Sequence, residues 1–359
     1  MPDLNNRTIL ILSPQSWGKM FVSKHHYAIA LARRGNKVYF LDPPEQGATD
    51  LRESVQITPS GISENLFFIK HKLWFPYKLK FHAMPLFHWG MRIQLKKILK
   101  AIGRPVDTVW SFDLGNLTPL TFFDDRVYKV FHPVDEPLQP VAIEAARGAD
   151  IIFSVTREIL EKYQGYPAPK HFVNHGVSDE FLRQQPNAAM PEHTDPSHPP
   201  ARGPIRVGMA GNLLRGDLDR PTFLQIIKEN PEAIFECWGG YSSAQSNIGG
   251  NSDPATTAFI TDLQAQPNVV LHGAVPVAKL AESIRHMDAF LICYDINKDQ
   301  SKGTNYHKIM EYLSTGKVVI SNNVTTYHDL PGLIEMTTER DHNRSLPQLF
   351  KKIITNLAE

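Results

Sequence analysis

A lysine and a glutamate stand one helical turn apart in the stretch from residue 302 to residue 316. Apolar residues recur there at helical spacing, Gly316 follows as a helix stop, and the β-branched run 318–320 is typical of a buried parallel strand. Lys308 would lie in the first helical turn, where positive charge and free N–H groups suit a phosphate. The carboxylate of Glu311 suits two neighbouring sugar hydroxyls. The two residues also fit a surface ion pair worth about 0.2–0.5 kcal/mol.

The spacing Lys308-x-x-Glu311-Tyr312-Leu313-x-x-Gly316-Lys317-x-Val319 resembles the nucleotide-sugar motif of GT-B glycosyltransferases. It is most similar to the group 1, family-4-like bacterial enzymes that build surface polysaccharides. The resemblance implies an α/β fold with two Rossmann-like domains facing a cleft. It also implies a nucleoside diphosphate sugar as donor, UDP before GDP, and a lipid-linked or polysaccharide acceptor. A sugar-nucleotide epimerase on the same fold and a non-catalytic nucleotide-sugar or lipid-binding protein remain open.

The resemblance also implies which residues bind the donor. Arg215 matches a basic residue that contacts the diphosphate, with an exposed loop arginine as the alternative, and the backbone near His272 would read the base. The implied donor-binding residues are Gly211, Asn212, Arg215, Gly239, His272, Thr304, Asn305, Tyr306, Lys308 and Glu311. Retaining relatives carry a second glutamate where this sequence has Gly303, so the stereochemical outcome stays open.

The chain length of 359 residues suits two domains. The sequence predicts an acceptor-binding domain at 1–182, a Pro-rich linker at 183–204, a nucleotide-sugar domain at 205–340 and a terminal helix within 341–359 that packs back on the first domain. The two cysteines lie in apolar runs and predict buried thiols in a reducing compartment. The sequence has no signal-peptide pattern and no apolar run of about 18 residues, which predicts a cytoplasmic protein, at most peripheral on the inner face of the plasma membrane.

A β-loop-α-β pattern opens the first domain, with strands at 8–12 and 37–41 and a helix capped by Ser23 between them. The loop lacks G-x-G-x-x-G, so a tightly bound dinucleotide is not indicated. In the resembling family this loop helps to hold the acceptor. The implied acceptor-binding residues are Ser16, Trp17, Gly18, Lys24, His25 and His26. A solvated helix start is the alternative for the two histidines.

Three polar residues follow the predicted strand 127–131 at the sheet edge where α/β proteins place their chemistry. A base must take the proton of the attacking hydroxyl in an inverting transfer. Asp135 is the first candidate for this catalytic role, and His132 and Glu136 come next. The alternative is that all three cap the helix that follows.

An acidic D-x-D triplet at residues 217–219 matches the metal-binding motif of a different transferase class. It follows a Gly-rich loop and precedes a helix, a context that indicates a chance match. The sequence therefore predicts no catalytic metal, and no cofactor besides the donor substrate.

Residues 65–106 hold nine of the 38 Lys and Arg residues and none of the 37 Asp and Glu residues. Phe, Tyr and Trp are interleaved with them, and a helical apolar face begins near His88. Basic residues with aromatic rings are typical of contact with an anionic membrane surface, which we predict for residues 67–104. Two alternatives remain: the apolar face packs on the sheet and the lysines are solvated, or the segment binds single-stranded nucleic acid. The net charge of +1 disfavours a nucleic-acid partner for the whole chain.

Overall fold

The computed structural model describes residues 4–18, 22–46, 53–183, 203–242, 253–299 and 301–358. The chain divides into two compact units, Met1–Asn174 and His175–Glu359. The boundary falls at Asn174 and not at residue 182 because the following segment packs on the second unit. Phe181 is buried in that unit's core, and Arg285 donates hydrogen bonds to the carbonyls of Phe181 and Arg183. Most of the predicted linker, residues 184–202, lies outside the described residues.

The first unit is built on an eight-stranded sheet. Its strands are β1 (Thr8–Leu12), β2 (Lys37–Leu41), β3 (Val55–Pro59), β4 (Leu66–His71), β5 (Thr108–Ser111), β6 (Tyr128–Phe131), β7 (Ile151–Ser154) and β8 (Lys170–Phe172). They lie in the order β3-β4-β2-β1-β5-β6-β7-β8. All neighbours are parallel except the antiparallel pair β3 and β4.

Five helices of the first unit are α1 (Ser23–Arg33), α2 (Leu79–His82), α3 (Met84–Ile102), α4 (Pro140–Glu144) and α5 (Arg157–Glu161). Helix α1 begins at Ser23 instead of being capped by it, because the imidazole of His25 accepts a 3.0 Å hydrogen bond from the N–H of Val22, the N-cap residue. Helix α3 ends at Gly103, which has the left-handed conformation (φ 70°) that favours glycine.

The second unit is built on a six-stranded, wholly parallel sheet. Its strands are β9 (Arg206–Ala210), β10 (Ile234–Trp238), β11 (Val269–Gly273), β12 (Ala289–Ile292), β13 (Val318–Ser321) and β14 (Glu335–Met336), in the order β11-β10-β9-β12-β13-β14. Its helices are α6 (Asp179–Leu182), α7 (Arg220–Glu229), α8 (Pro254–Gln264), α9 (Val277–Ser283), α10 (His307–Leu313) and α11 (Leu346–Ala358).

Both sheets are buried on both faces, as their nearly continuous apolar strands predict. In β1, Leu10 and Leu12 join one hydrophobic cluster, and Ile9 and Ile11 join another on the opposite face. Strand β9 divides its residues between two clusters in the same way. Because successive strand residues point to opposite faces, each sheet forms the middle layer of an α/β/α sandwich.

The terminal helix α11 uses its apolar face within the second unit. Leu346, Phe350 and Ile354 are buried in that unit's core, and the helix packs against α7 and β13. The sequence predicts that this helix packs back on the first domain, whereas these contacts lie within the second unit. No helix in the described ranges is long and apolar enough to cross a membrane.

Candidate functional site

The loops after β9, β10 and β11 are joined through their backbones at the carboxyl edge of the second sheet. Gly211 donates a hydrogen bond to the carbonyl of Trp238 (2.8 Å), and Gly239 donates one to Gly273 (2.8 Å). Gly239 has φ 134°, and a Cβ atom there would lie 1.8 Å from the carbonyl oxygen of Gly211. Only glycine fits this close approach, so Gly211 and Gly239, two predicted donor-binding residues, form one continuous backbone surface.

Helix α10, which carries the lysine and glutamate of the motif, is fixed to the end of β9. The hydroxyl of Tyr312 accepts a hydrogen bond from the N–H of Ala210, the last residue of that strand, and its ring stacks on Phe290 with centroids 4.2 Å apart. Because α10 starts at the edge where β12 ends, Lys308 and Glu311 lie at the same edge as the glycine loops.

Lys308 and Glu311 form a salt bridge of 2.8 Å, and their side chains are 21% and 15% exposed. Both are therefore more enclosed than an ordinary surface pair. The carboxylate keeps further acceptor capacity beyond the one oxygen that Lys308 contacts. The ammonium of Lys308 can therefore face a phosphate, and the carboxylate of Glu311 can accept hydrogen bonds from sugar hydroxyls.

Arg215 is held by an acid of its own loop. Its guanidinium donates through Nε to Asp217 at 2.8 Å, makes a second bond to the same carboxylate, and lies over the ring of Tyr294 at 5.7 Å. The hydrogen bond to Asp217 raises the pKa of the guanidinium. Two of the five N–H donors thus bond to Asp217, and among the described residues no acceptor side chain is bonded to the others, which can bind a ligand. Asn212 accepts a bond from the N–H of Leu214 and shapes the same loop.

Three predicted donor-binding residues, Thr304, Asn305 and Tyr306, are buried and 3%, 5% and 9% exposed. The Tyr306 hydroxyl donates to Asp299 at 3.0 Å, and Thr304 donates to the carbonyl of Ser301 at 2.7 Å. The side chains of Thr304 and Tyr306 therefore help to hold the loop before α10. The hydroxyls of Thr304 and Tyr306 are thus engaged within the loop, and donor contact by Thr304, Asn305 and Tyr306 stays a prediction.

His272 uses its side chain within the second unit. The imidazole contacts Glu236 at 2.8 Å and stacks on Trp238 with centroids 4.8 Å apart and an interplanar angle of 8°. Glu236 is 4% exposed and also binds Arg206. The side chain of His272 is thus engaged within the unit, and base recognition by the backbone near it stays a prediction.

The two acids of the D-x-D triplet have separate structural tasks. Asp217 binds Arg215, while Asp219 caps α7 by accepting from the N–H and the hydroxyl of Thr222. Asn343 also donates to Asp219 at 2.8 Å. Within the described ranges no group of three or more His, Cys, Asp and Glu side chains is arranged to hold a metal ion.

A small polar cavity lies at the carboxyl edge of the first sheet. It has a volume of about 20 Å³ and is lined by Ser13, Asp42, His71 and Asp113, among others. This is room for one water molecule. Burial raises the pKa of Asp42 to about 6 and lowers that of His71 to about 4. These four polar residues end or follow four different strands.

Asp113 and Asp135 flank a buried lysine at the same edge. Lys24 is 3% exposed; its burial lowers its pKa, and the charges of Asp135 and Asp113 oppose that shift. Asp113 accepts hydrogen bonds from the N–H groups of Gly115 (2.8 Å) and Leu117 (2.7 Å), one on each carboxylate oxygen. Asp113 is thus fixed by its loop, whereas Asp135 is an exposed carboxylate with the charge of Lys24 nearby.

The other two predicted catalytic residues are engaged elsewhere. His132 is fully buried, accepts a 3.3 Å hydrogen bond from Trp110, and is stacked on Phe112 with centroids 5.0 Å apart. Glu136 forms an ion pair with Lys162 and has a side chain only 9% exposed. A base must reach the substrate proton, so this edge offers Asp135 and not these two side chains.

The predicted acceptor loop is folded partly inward. The ring of Trp17 contacts Phe40 and Phe68 at centroid distances of 4.8 and 4.5 Å. The backbone N–H of Trp17 donates a hydrogen bond to Asp42. His25 is 2% exposed, and burial lowers its pKa to about 4, so it is neutral at pH 7. The exposed members of the predicted set are Ser16, Gly18 and His26.

Sequence reasoning missed Asp42, His71 and Asp113 as site residues. His71 ends β4, Asp42 directly follows β2, and Asp113 lies two residues after the end of β5. Applying the strand-end rule to every strand would have found Asp42 and Asp113. Finding His71 in this way would have required a prediction of strand β4, and the basic and aromatic residues of this segment concealed that strand.

Solved structures share this two-domain architecture over nearly the whole chain. A sucrose-phosphate synthase from Thermosynechococcus elongatus has a TM-score of 0.67 at 12% identity, covering 98% of this chain and 90% of its own. Anabaena HepE in complex with UDP and glucose has a TM-score of 0.61 at 15% identity, covering 98% and 90%. An α,α-trehalose-phosphate synthase (UDP-forming) from Burkholderia xenovorans, in complex with glucose-6-phosphate, has a TM-score of 0.63 at 12% identity, covering 97% and 92%.

The similarity to these glycosyltransferases shows that the chain has the GT-B fold, an α/β fold of two Rossmann-like domains, as predicted. No protein-family model matches the sequence. No curated protein matches it significantly either. At 12–15% identity the likeness establishes the fold alone.

Proposed function

We propose that the protein is a glycosyltransferase that moves a sugar from a nucleoside diphosphate sugar to a hydroxyl of an acceptor. UDP is favoured over GDP as the nucleotide of the donor. One observation carries the proposal. The partly enclosed pair Lys308 and Glu311 lies on a helix that Tyr312 fixes beside the glycine loops of the second sheet. Structures with this fold that hold UDP, or are described as UDP-forming, support UDP as the nucleotide.

The second unit binds the donor in this proposal. The backbone at Gly211 and Gly239 admits the nucleotide closely, Glu311 accepts hydrogen bonds from ribose hydroxyls, and Lys308 with Arg215 faces the diphosphate. Positive charge there stabilises the negative charge that develops on the leaving nucleoside diphosphate. Arg215 contributes through the N–H donors that Asp217 leaves available.

The first unit binds the acceptor and supplies the base. The acceptor oxygen forms a bond to the anomeric carbon, and the bond from that carbon to the phosphate oxygen breaks. Its electron pair leaves with the nucleoside diphosphate, and the hydroxyl proton passes to a base. Asp135 is the candidate base because it is exposed at a strand end, whereas His132 and Glu136 are enclosed.

We assign the acceptor to lipid-linked or polysaccharide intermediates of bacterial surface glycan synthesis. A cytoplasmic enzyme of this kind works at the inner face of the plasma membrane, and residues 67–104 are the segment that we propose contacts it. The concentration of basic residues in this part of a nearly neutral chain supports the assignment.

Calorimetric titration of UDP and GDP tests the donor site. We expect one nucleotide to bind the wild type and Glu311→Ala to weaken it about 10- to 100-fold, because a charged hydrogen-bond partner contributes about 1.5–3 kcal/mol. Glu144→Ala is the matched control, because it removes the acid of another i,i+3 pair, with Arg147, in the first unit. Absence of binding by both nucleotides would refute the donor site.

Turnover distinguishes transfer from the other two activities. A glycosyltransferase releases free nucleotide at a rate that depends on acceptor. An epimerase would convert the sugar nucleotide without acceptor, and a binding protein would leave it unchanged. Either of those results would refute the transfer reaction even if UDP binds.

A further inference from the structure

Four large apolar side chains project into solvent on one part of the first unit. They are Trp74, Phe81, Leu86 and Trp89, which are 48%, 69%, 57% and 59% exposed. The rings of Trp74 and Trp89 meet edge to face with centroids 5.8 Å apart. We call these four residues the apolar tip. Adjacent exposed rings of this size mark a surface that a partner covers.

A line of basic residues continues from the tip along the outer face of α3. Leu86, Trp89, Arg92, Lys96 and Lys100 are all exposed and follow one another at spacings of three or four residues, so they share one face of the helix. We call Arg92, Lys96 and Lys100 the basic stripe. The opposite face of α3, with Leu95, Ile98 and Ile102, packs into the core on one side of the sheet.

An open groove of about 410 Å³ runs beside the basic stripe, between α3 and residues 121–124. The guanidinium of Arg92 lies over the ring of Phe122 at 4.6 Å. Within the described part of the chain neither Arg92 nor Lys96 has an acceptor at hydrogen-bonding distance. The acid in the groove, Asp124, is bound by Arg126 at 2.9 Å. The groove thus offers unused cationic donors to an anion.

We propose that the apolar tip and the basic stripe together form the docking surface for an anionic phospholipid membrane. The tip enters the interfacial region, where aromatic rings are favoured, and Arg92 and Lys96 bind lipid phosphate groups. No Asp or Glu occurs between residues 65 and 106, so the surface complements a negative bilayer. This deepens the proposed membrane location and is independent of the donor chemistry.

The proposal narrows the segment predicted to meet the membrane. Phe67 packs on Tyr39 with ring centroids 5.1 Å apart, and Phe68 packs on Trp17. Phe87 is fully buried. These rings stabilise the first unit and are not available to a bilayer. The contacting surface is therefore the loop before α2, helix α2 and the outer face of α3.

Lys80 connects this surface to the candidate acceptor edge. Its ammonium lies 5.7 Å from the ring centroid of Phe81, a tip residue. A Cβ atom built on Gly115 would be 3.3 Å from the Lys80 ammonium and 3.0 Å from a carboxylate oxygen of Asp113. The apolar tip and Asp113 are thus neighbours through one lysine.

Intrinsic tryptophan fluorescence gives a direct test. Of the five tryptophans, Trp74 and Trp89 are exposed, Trp17 is partly buried, and Trp110 and Trp238 are buried. Vesicles with 30 mol% phosphatidylglycerol should shift the emission of wild type to shorter wavelength and carry the protein into the pellet.

W74F/W89F should sediment with the vesicles but lose most of the shift. W74S/W89S should lose sedimentation, whereas L138S, which removes another exposed apolar side chain, should keep it.

Charge reversal tests the basic stripe with a matched control. R92E/K96E should weaken partitioning to anionic vesicles by roughly 30-fold or more, because each basic residue near such a surface contributes about 1 kcal/mol. K351E/K352E makes the same change in net charge at exposed positions of α11 and should bind like wild type. Neutral phosphatidylcholine vesicles should bind wild type at least tenfold more weakly than anionic ones.

Several results would overturn the proposal. The proposal is wrong if the wild type stays in the supernatant with anionic vesicles at low salt. It is also wrong if R92E/K96E binds these vesicles as tightly as K351E/K352E does. Preferential binding of a single-stranded oligonucleotide, competing with vesicles, would assign the surface to nucleic acid. Self-association abolished by W74S/W89S in the absence of lipid would assign the tip to a second copy of the chain. Each of these results leaves UDP binding, and hence the donor site, unaffected.

Discussion

The hydroxyl of Tyr312 accepts a 2.7 Å hydrogen bond from the backbone N–H of Ala210, 102 residues earlier in the chain. This bond joins the helix of the nucleotide-sugar motif to the strand whose following loop begins with Gly211. The tyrosine is buried, with 1% of its surface exposed. This core-facing side chain therefore helps to fix the position of Lys308 and Glu311 relative to the glycine loops.

Tyr312→Phe should destabilise the second unit by about 1–3 kcal/mol, because the buried N–H of Ala210 loses its side-chain acceptor. It should also weaken nucleotide binding, because α10 loses its link to β9. Urea denaturation and calorimetry measure the two effects. Tyr163→Phe is the control, since its buried hydroxyl donates to Ala142 in the first unit. The control should cost similar stability and leave nucleotide affinity unchanged; equal affinities in both variants would contradict the positioning role.

Asp135→Asn should reduce acceptor-dependent turnover by about 10²–10⁴-fold, the usual contribution of a positioned base. The nucleotide affinity should stay at the wild-type value, because the residue belongs to the first unit. Steady-state release of UDP from a UDP-sugar, with and without acceptor, provides the measurement. Asp125→Asn changes another exposed acid, which lies 3.8 Å from Lys129, and should leave turnover intact. Full activity of Asp135→Asn would remove this residue from the mechanism.

The cavity of the first unit predicts a pH dependence with two opposing parts. Burial raises the pKa of Asp42 to about 6, so the folded state gains stability from Asp42 as pH falls from 6 toward 4. Burial lowers the pKa of His71 to about 4, so its contribution is complete above pH 6.5 and is lost as pH falls toward 4. His25 acts in the same direction as His71.

Asp42→Asn should separate these two parts. At pH 7 the variant should be more stable than wild type by about 1–3 kcal/mol, since a buried ionised carboxylate is replaced by a neutral amide that keeps an acceptor for Trp17. Between pH 6.5 and 4 its stability should fall more steeply than that of wild type. Urea denaturation at half-unit pH intervals would show this, and parallel curves would contradict the assigned pKa of Asp42.

Gly90→Ala should destabilise the protein although alanine is the better helix former. A Cβ atom at residue 90 would lie 2.5 Å from the ring of Phe75, the neighbour of Trp74. Overpacking costs about 1–3 kcal/mol, which exceeds the gain of about 1 kcal/mol from helix propensity. The variant should also bind anionic vesicles more weakly, because the loop that carries Trp74 must move.

Ala101→Gly provides the comparison for that variant. It lies at an exposed position of the same helix, far along α3 from the apolar tip, and should cost about 1 kcal/mol through propensity alone. Vesicle binding should not change. Thermal unfolding and co-sedimentation measure both variants, and a Gly90→Ala protein more stable than wild type would contradict the contact with Phe75.

The sequence was informative where a pattern depends on the backbone. The strands at 8–12 and 37–41 have the predicted bounds, and α11 lies within the predicted range 341–359, because buried apolar runs and helical spacing follow from local chemistry. The direction of single side chains was less predictable. Thr304 and Tyr306 carry polar groups next to the motif, yet they bond inward to Ser301 and Asp299. Only tertiary packing decides between these directions.

Tertiary contacts also explain why the sequence of residues 67–104 did not reveal which of its aromatic rings are buried and which are exposed. Phe67 and Trp89 have the same kind of neighbours in the sequence, but one lies on β4 within the sheet and the other on the outer face of α3. Strand β4 ends in Lys70, which is exposed, and His71, which is buried, and these two polar residues concealed the strand in the sequence. His132 illustrates the opposite case: its place after a strand suggests chemistry, and its neighbours Trp110 and Phe112 enclose it.

The charge of this chain is distributed unevenly although it nearly cancels. Nine Lys and Arg residues and no Asp or Glu lie between residues 65 and 106, while the whole chain has a net charge of +1. Residues 65–106 therefore carry a local excess of positive charge that the net charge of the chain does not reveal. A cation-exchange resin should bind the protein through this segment even at pH values where its net charge is zero. Salt should release the protein sharply. Its chromatographic behaviour would report the orientation of a surface and not the total charge.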